Sequence, residues 1–363
     1  MIKFILKRIL YGFLVLFGVI TAVFLLFSVM PGDAARMRMG IRSDPKSLAV
    51  IRQDLNLDLP LHKQYFMFLN DLSFLSIHDV NKADSASSRI YLNPAKYGDP
   101  TRLFHVSANK MLVLKTPYLR RSYINQRPVW DIIKQTLPET FVLATTAMLF
   151  ASLLGIALGI LSALKKNSFW DRLVSVLSTL GMAGPSFFFA LIIAWLFGYL
   201  WRDYTGLKNI GSLYTMNLYT GQEELDLKNL ILPAFTLGIR PLALIVQLTR
   251  SSMLEVLSFD YIRTARAKGL SQFKVIVKHA LKNALNPVIT AISGWFAGLM
   301  AGAAFVEAVF DWKGIGNAVV EALFNHDLPV VMGSTLIFST CFVVINIVVD
   351  ITYAILDPRV RLQ

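Results

Sequence analysis

Three residues place charged or polar groups inside long apolar runs, where they could act on a polar solute. Arg240 interrupts an apolar stretch at residues 230–257, and Asn346 and Asp350 stand four residues apart in the last such stretch. An arginine in lipid is costly unless it is paired, hydrated or close to an interface. Arg240 therefore either lines a water-filled path and attracts a substrate carboxylate, or reaches out at the outer end of a span that begins later. Asn346 and Asp350 share one helical face, which favours a hydrogen bond between helices.

Other reaction chemistry has little support in the residue pattern. A nucleotide-binding P-loop needs Gly-Lys followed by Ser or Thr, and no Gly-Lys pair occurs in the chain. The five histidines lack His-x-x-x-His or carboxylate-paired spacing, which argues against a zinc site. Cys341 is the single cysteine, so this chain alone predicts no disulfide framework. We expect no cofactor and no catalytic residue in this chain.

The elements that must position these residues are long apolar runs typical of membrane spans. The chain is 55% hydrophobic and 16% charged, and about 20 apolar residues in a helix cross roughly 30 Å of hydrocarbon. Five charge-free runs and the stretch around Arg240 predict an all-α, polytopic membrane helix bundle with six spans. The charge-free runs are 9–32, 140–164, 173–201, 283–306 and 328–349. The first exceeds the core of a secretory signal, about 7–15 residues, so we interpret it as an anchor.

The third run contains Gly181, Gly184 and Pro185. A proline inside a span removes one backbone hydrogen bond and usually kinks the helix. Small residues at the same place also permit close helix packing. The pattern therefore fits a gating hinge and plain close packing equally well.

Lys and Arg in the short loops predict the orientation of the chain. With the N-terminus inside, fifteen basic residues fall in inner segments and four in two short outer loops. Both termini are therefore predicted in the cytoplasm. This topology explains part of the net charge of +13, so we do not expect nucleic acid binding.

A mostly polar stretch, residues 31–139, separates the first two spans and is expected outside the membrane. After Pro60 its apolar residues return at helical intervals, which predicts a short amphipathic helix near the surface. From residue 81 to about 115, Ser, Asn, Asp and Lys predominate. That composition fits a small appended lobe and a mobile loop, and the choice between them stays open.

The basic inner loop, residues 257–290, has the pattern of two helices that break at Gly269. Ser271 is a good N-cap for the second helix. The apolar residues on one predicted face are Phe273, Ile276, Val277, Ala280, Leu281, Ala284 and Leu285. A lysine at every fourth position from Lys274 falls on another face. The hairpin is either a surface helix on anionic headgroups or a docking element that passes force from a cytoplasmic partner to two spans.

This loop resembles the signature loop of binding-protein-dependent ABC importer permeases, whose pattern is Glu-Ala-Ala, three residues, Gly, nine residues, Ile, any residue, Leu-Pro. The matching residues are Ala265, Gly269 and Leu281, and the departing residues are Arg263, Thr264, His279 and Lys282. The strings YIRTARAKGL and HALKNALNPVIT look like the peptide and nickel branch of the family, where these departures are usual. Further resemblance lies in PGD at 31–33, LPLHKQY at 59–65, LTRSSMLEVL at 248–257, FVEAVFDWKGIGNAV at 305–319 and NIVVDITYAILDPRVR at 346–361.

The resemblance implies functional residues in two places. The ATPase-coupling loop would be carried by Tyr261, Arg263, Thr264, Ala265, Ala267, Gly269, His279 and Leu281. Glu307 and Asp311 are implied to belong to a re-entrant outer element that faces the delivered substrate. Together with Arg240 they form the candidate substrate path.

The resemblance also implies partners and a division of the chain. The expected partners are a second homologous permease in a heterodimer, two cytoplasmic ATPase subunits that bind ATP, and an extracytoplasmic substrate-binding protein, with membrane lipid around the spans. The expected location is the bacterial cytoplasmic (inner) membrane. The expected segments are 1–32 with the first span, 33–139 outside the membrane with an insertion at about 73–117 that the family pattern lacks, 140–356 as a five-helix core with the coupling loop 257–285, and 357–363 as the tail.

Short peptides are the expected substrate, because the resemblance is to the peptide and nickel branch. Nickel or another small solute is the alternative within that branch. An ion channel would conduct without ATPase partners. A membrane-embedded enzyme would need a clustered nucleophile, paired carboxylates or a metal-ligand set, and the residue pattern shows none of these.

Overall fold

The computed structural model describes residues 2–29, 44, 49, 52, 56–79, 91–107, 109–217 and 220–356. The PGD motif at 31–33 and the tail 357–363 lie outside the described residues, as do residues 80–90 of the expected insertion. The helices are α1 (Ile2–Val29), α2 (Leu61–Leu72), α3 (Pro94–Tyr97), α4 (Val129–Leu164), α5 (Phe169–Ala183), α6 (Ser186–Ile193), α7 (Arg202–Thr205), α8 (Lys228–Leu257), α9 (Asp260–Ala267), α10 (Gln272–Lys274), α11 (Lys282–Gly302), α12 (Ala304–Phe310), α13 (Ile315–Phe324) and α14 (Leu328–Leu356). The strands are β1 (Leu75–Asp79), β2 (Thr101–His105), β3 (Lys110–Leu114), β4 (Tyr214–Met216) and β5 (Glu223–Leu225). Two π-helical segments, Ala194–Leu200 and Val275–Leu281, continue α6 and α10.

Six spans can be counted in the described residues. Four helices, α1, α4, α8 and α14, are long and apolar enough to cross a membrane, and two bent pairs raise the number to six if each pair is one span. The first pair, Phe169–Ala183 and Ser186–Leu200, is bent by 110°, and the second, Gln272–Met300 and Ala304–Phe310, is bent by 57°. The predicted all-α polytopic bundle is confirmed.

The break between α5 and α6 lies at the Gly184–Pro185 pair, and its bend of 110° is much larger than that of an ordinary proline kink. Pro185 precedes the second arm, where its missing N–H costs no helical hydrogen bond. A Cβ on Gly184 would lie 2.5 Å from Cε2 of Phe189, and a Cβ on Gly181 would lie 3.1 Å from Cγ2 of Ile239. The glycines therefore allow close packing at the same place where the chain turns.

One compact unit comprises Met1–Gly12, Gln135–Val320 and Cys341–Gln363. Helix α8 is buried along much of its length within it. The backbone of α4 approaches α8 closely at Gly155 and Gly159, since a Cβ on Gly159 would lie 2.5 Å from Cβ of Thr249. Glycines four residues apart lie on one helical face and permit this close approach. At the chain ends, Nε of Arg8 lies 3.2 Å from Oδ2 of Asp350, which fits the interhelical role predicted for that acid.

The other compact unit comprises Phe13–Lys134 and Glu321–Thr340. Helix α2 begins directly after Pro60, as predicted. It packs on α1, where the hydroxyls of Tyr65 and Thr21 are 2.6 Å apart and Phe24 contacts the rings of Tyr65 and Phe68. The amphipathic pattern of α2 therefore reflects burial against the first span.

The described part of the expected insertion is a small lobe with an antiparallel sheet in the order β1-β3-β2. Leu75 pairs with Leu114, which also pairs with Thr101. One face of the sheet buries Met111 and Val113 in a core with Leu92 and Tyr97. The lobe was one of the two alternatives that the composition left open.

A buried polar cluster lies beside this core. Asp71 accepts a 2.6 Å hydrogen bond from the Tyr97 hydroxyl, and Nζ of Lys115 donates to the backbone carbonyl of Asp71 at 2.6 Å. Burial lowers the pKa of Lys115 to about 8. Burial, followed by the nearby Asp71, raises the pKa of Tyr97 above its ordinary range. The cluster therefore contains a lysine that titrates closer to neutral pH than an exposed lysine.

Candidate functional site

The hairpin at the basic loop consists of α9 and the continuous helix that begins with α10. Gly269 reverses the chain between them with a φ of +75°, a left-handed conformation that favours glycine. Ser271 caps the second helix, its Oγ accepting from the backbone N–H of Lys274 at 3.5 Å. The predicted break at Gly269 and the predicted cap at Ser271 are confirmed.

The hairpin has its own apolar core, which attaches it to the ends of two spans. Its buried residues are Ile262, Ala265, Val275, Ala280 and Ala284, and they pack with Ala163 of α4 and with Met253 and Val256 of α8. The hairpin is also joined covalently to α8 and α11. A displacement of the hairpin would therefore act on α4, α8 and α11 together.

The predicted apolar face of the second helix is partly wrong. Phe273 and Val277 are 74% and 45% exposed, whereas Val275, which lay outside the predicted face, is 1% exposed. The reason is the π-helical segment Val275–Leu281, in which the i→i+5 bonding pattern changes the angular step per residue. A strict α-helical repeat therefore assigns these side chains to the wrong sides.

Most of the predicted coupling residues lie on the outer surface of the hairpin. Tyr261, Arg263, Thr264, Ala267 and Gly269 are exposed, His279 and Leu281 are half-buried, and Ala265 is buried in the hairpin core. Nδ2 of Asn283 donates a 2.8 Å hydrogen bond to the Tyr261 hydroxyl and so links α9 to α11. Asn283 was not among the predicted residues, because nothing in its spacing indicates this partner.

Glu307 is fully buried and anchors the loop that follows α12. Its Oε1 accepts from the Thr140 hydroxyl at 2.6 Å, and its Oε2 accepts from the backbone N–H of Asn317 at 3.0 Å. Oγ1 of Thr140 in turn accepts from the backbone N–H of Ile315 at 2.9 Å. A Cβ on Gly314 would overlap the carboxylate, so glycine is required there. Glu307 thus lies under the loop in this conformation.

A second acid, Glu139 of α4, also holds the loop that follows α12. Oε2 of Glu139 accepts from the Ser212 hydroxyl at 2.5 Å, and Oγ of Ser212 accepts from the backbone N–H of Lys313 at 3.1 Å. The buried Trp312 donates from Nε1 to the Glu139 carbonyl at 3.2 Å. Asp311 ends α12 with a φ of 51° and is exposed. Of the two predicted acids, Asp311 therefore lies on the surface and Glu307 lies beneath it.

Arg240 is exposed on α8. Helix α8 begins at Lys228, so Arg240 lies about 18 Å along the helix at 1.5 Å per residue. No ion pair joins Arg240 to Glu307 or Asp311, all three of which the structure describes. The three candidate path residues are therefore not joined by ion pairs among the described residues.

A buried ion pair that the sequence did not suggest lies near the hairpin. Oδ1 and Oδ2 of Asp171 accept from Nε and Nη2 of Arg250 at 2.7 and 2.9 Å. The Ser162 hydroxyl donates to Oδ1 at 2.5 Å, and the backbone N–H of Asn167 donates to Oδ2 at 2.9 Å. The motif Ser168-x-x-Asp171 predicts a helix N-terminus, but it gives no sign of the pairing with Arg250.

Comparisons with known proteins match both ends of the chain. The profile of the family "Binding-protein-dependent transport system inner membrane component" matches residues 155–362, and the profile of its N-terminal part matches residues 1–86. The chain belongs to this family. The resemblance stated from the signature loop is thereby confirmed.

Relatives of known identity align with this family member from end to end. The di/tripeptide transport system permease protein DppB of Pseudomonas aeruginosa strain UCBPP-PA14 is 34% identical over 381 residues, which cover 100% of both chains. The glutathione transport system permease protein GsiC of Salmonella paratyphi A is 33% identical over 361 residues and covers 99% of both. An inward-facing structure of the MetNI methionine ABC transporter matches with a TM-score of 0.50 and 17% identity, over 63% of this chain and 97% of the other. That structural match supports the fold alone.

Family membership supports the broad functional prediction. This binding-protein-dependent transport component is a multi-pass membrane permease subunit of an ABC importer and not an enzyme. It works as one component of a larger system.

Proposed function

We propose that this permease subunit imports short peptides and forms half of the translocation path. The full-length similarity to permeases named for di/tripeptide and glutathione transport supports a peptide substrate. Nickel or another small solute is the alternative. The other half of the path would come from a second homologous permease, two cytoplasmic ATPase subunits would supply the energy, and an extracytoplasmic binding protein would deliver the substrate at the bacterial inner membrane.

The proposed orientation has both termini and the hairpin in the cytoplasm. Two features support it, namely the excess of Lys and Arg in the inner segments and the exposed basic surface of the hairpin. The small lobe between α1 and α4 then lies outside. The division of the chain at 1–32, 33–139, 140–356 and 357–363 remains part of the proposal.

The observation that carries the coupling role is the two-sided character of the hairpin. Its inner side packs with α4 and α8, while Tyr261, Arg263 and Gly269 face outward. A short, internally packed helix pair of this kind can fill a groove on an ATPase and transmit its movement. A surface helix on lipid headgroups would need no such attachment to the span ends.

For the substrate path, we propose different roles for the three candidates. Arg240 and Asp311 are exposed and can face a path completed by the second permease. Glu307 is buried, so its role is to position the loop that presents Asp311. A cationic side chain well inside a span suits attraction of a peptide carboxylate.

The coupling proposal is tested by a substitution series at Gly269. A Cβ at this position meets no atom of the chain within 4 Å, but the φ of +75° strains any L residue. Gly269→Ala adds this strain, about 1–2 kcal/mol, and Gly269→Trp adds the same strain plus a bulky ring that begins at a Cβ position open to solvent. Gly269→Asn is the control, because asparagine tolerates this conformation better than most residues.

We expect Gly269→Asn and Gly269→Ala to keep most uptake of a labelled dipeptide. Gly269→Trp is expected to insert normally, to lose uptake and to copurify less ATPase, because a partner covers this surface. Equal behaviour of the Ala and Trp variants would contradict a docked partner. In the same vesicles, uptake of labelled nickel in place of the dipeptide would contradict the peptide assignment.

A further inference from the structure

The buried pair Asp171–Arg250 lies directly beside the core of the hairpin. Met253, three residues after Arg250 on α8, and Ala163, the residue after Ser162 on α4, both belong to that core. The pair therefore joins the start of α5 to the ends of α4 and α8 at the point where the hairpin is attached. Of Ser162, Asp171 and Arg250, only Asp171 belongs to α5.

The geometry of the pair resists rotation. The guanidinium of Arg250 donates two hydrogen bonds, one to each carboxylate oxygen, and its side chain is 25% exposed against 5% for Asp171. Such bidentate pairs define orientation as well as distance, which a lysine at the same place would not. Two further donors, Ser162 and the N–H of Asn167, complete the coordination of the carboxylate.

Close helix packing supports the pair from the adjacent turn. Gly159 lies three residues before Ser162, and Thr249 immediately precedes Arg250. At this contact a Cβ on Gly159 would lie 2.9 Å from the Val246 carbonyl oxygen. The native glycine lets the backbones of α4 and α8 approach closely here, so the two helices pack tightly beside the hairpin.

We propose that Asp171 and Arg250 are positioning residues that carry the displacement of the hairpin to α5. The inference rests on the proposed coupling function. When an ATPase moves the hairpin, the end of α8 moves with it, and the bidentate pair passes this movement to α5. Helix α5 is the first arm of the pair that is bent by 110° before α6, so the displacement would act on that arm.

The first test compares two matched substitutions. Arg250→Lys keeps the charge but removes the bidentate contact, and Arg172→Lys changes the exposed arginine next to Asp171. We expect Arg250→Lys to copurify the ATPase and to hydrolyse ATP as before, while dipeptide uptake at equal membrane abundance falls about tenfold. Arg172→Lys should leave both activities unchanged. Uptake of Arg250→Lys equal to that of Arg172→Lys would overturn the proposal.

A second test needs no partner protein. In a Cys341→Ala background, spin labels at Phe169→Cys and Phe273→Cys, which are 71% and 74% exposed in the native chain, report the distance between α5 and the hairpin. In nanodiscs we expect one narrow distance distribution, and a clearly broader one after Arg250→Lys. Equal widths would refute the positioning role. If the unaltered chain copurifies no ATPase, the proposed coupling role is wrong. The distances between the labels still decide independently whether the Asp171–Arg250 pair links the hairpin to α5.

Discussion

Replacement of Glu307 by glutamine tests whether this acid anchors the outer loop or contacts substrate. Both carboxylate oxygens accept hydrogen bonds in the native chain, one from Thr140 and one from the N–H of Asn317. An amide has a single acceptor oxygen, so its NH2 group must face one of these two donors. Rotation of the amide does not help, because either orientation leaves one donor unmatched.

The expected cost follows from these contacts. A hydrogen bond to a charged group contributes about 1.5–3 kcal/mol, and a buried donor without an acceptor costs about 1–3 kcal/mol. The lost hydrogen bond and the donor left without an acceptor belong to the same contact, so their costs are not added. We therefore expect Glu307→Gln to lower the unfolding free energy by about 2–3 kcal/mol. Thr140→Val removes the donor on the other side of the bond, and also the acceptor of the Ile315 N–H.

The assay is a double-mutant cycle on the purified chain. Unfolding free energies of the parent, Glu307→Gln, Thr140→Val and the double variant are obtained by titrating mixed micelles with sodium dodecyl sulfate. We expect a coupling energy of about 1–2 kcal/mol between the two positions. Dipeptide uptake is measured in parallel and should fall with stability.

Two results would refute the anchoring role. The first is additivity of the two single substitutions within about 0.5 kcal/mol, since independent sites add within that range. The second is loss of uptake by Glu307→Gln at an unchanged unfolding free energy. That outcome would return Glu307 to the substrate path predicted from the sequence.

Two other predictions concern single charges. Arg240→Gln should lower dipeptide uptake about tenfold, a loss of roughly 1.4 kcal/mol, at unchanged abundance; unaltered uptake would exclude the path role. Because the pKa of Lys115 is lowered to about 8, the unfolded chain binds more protons above that pH. The unfolding free energy of the lobe should therefore rise by about 2 kcal/mol between pH 8 and 10. Hydrogen exchange of the lobe amides, corrected for intrinsic rates, measures this change. Lys115→Met should abolish this gain, and Lys110→Met, at an exposed lysine, should retain it.

Features set by local pattern were predictable from the sequence. The spans follow from uninterrupted apolar length, and the hairpin break follows from Gly269 with Ser271 two residues later. The helix after Pro60 follows from its periodicity. In each case the deciding residues lie within one or two helical turns of the feature they specify.

Features that depend on distant partners were not predictable. Asp171 and Arg250 are 79 residues apart, and each looks like an ordinary charge near a helix end until the fold pairs them. The burial of Glu307 likewise depends on Thr140, 167 residues away. The Gly155 and Gly159 spacing, by contrast, is a local signal for close helix packing. The π-helical segment carries no recognisable local signature and displaced part of the predicted apolar face.

Helix α4 takes part in two separate contact sites, one at Glu139 and Thr140 and one at Ser162 and Ala163. Thr140 and Glu139 hold the outer loop, and Ser162 and Ala163 meet the buried pair and the hairpin core. From Thr140 to Ser162 the helix runs without a proline over about 33 Å. A continuous helix can carry a tilt from one of these sites to the other, so a change at the loop after α12 can reach the hairpin core through a single element.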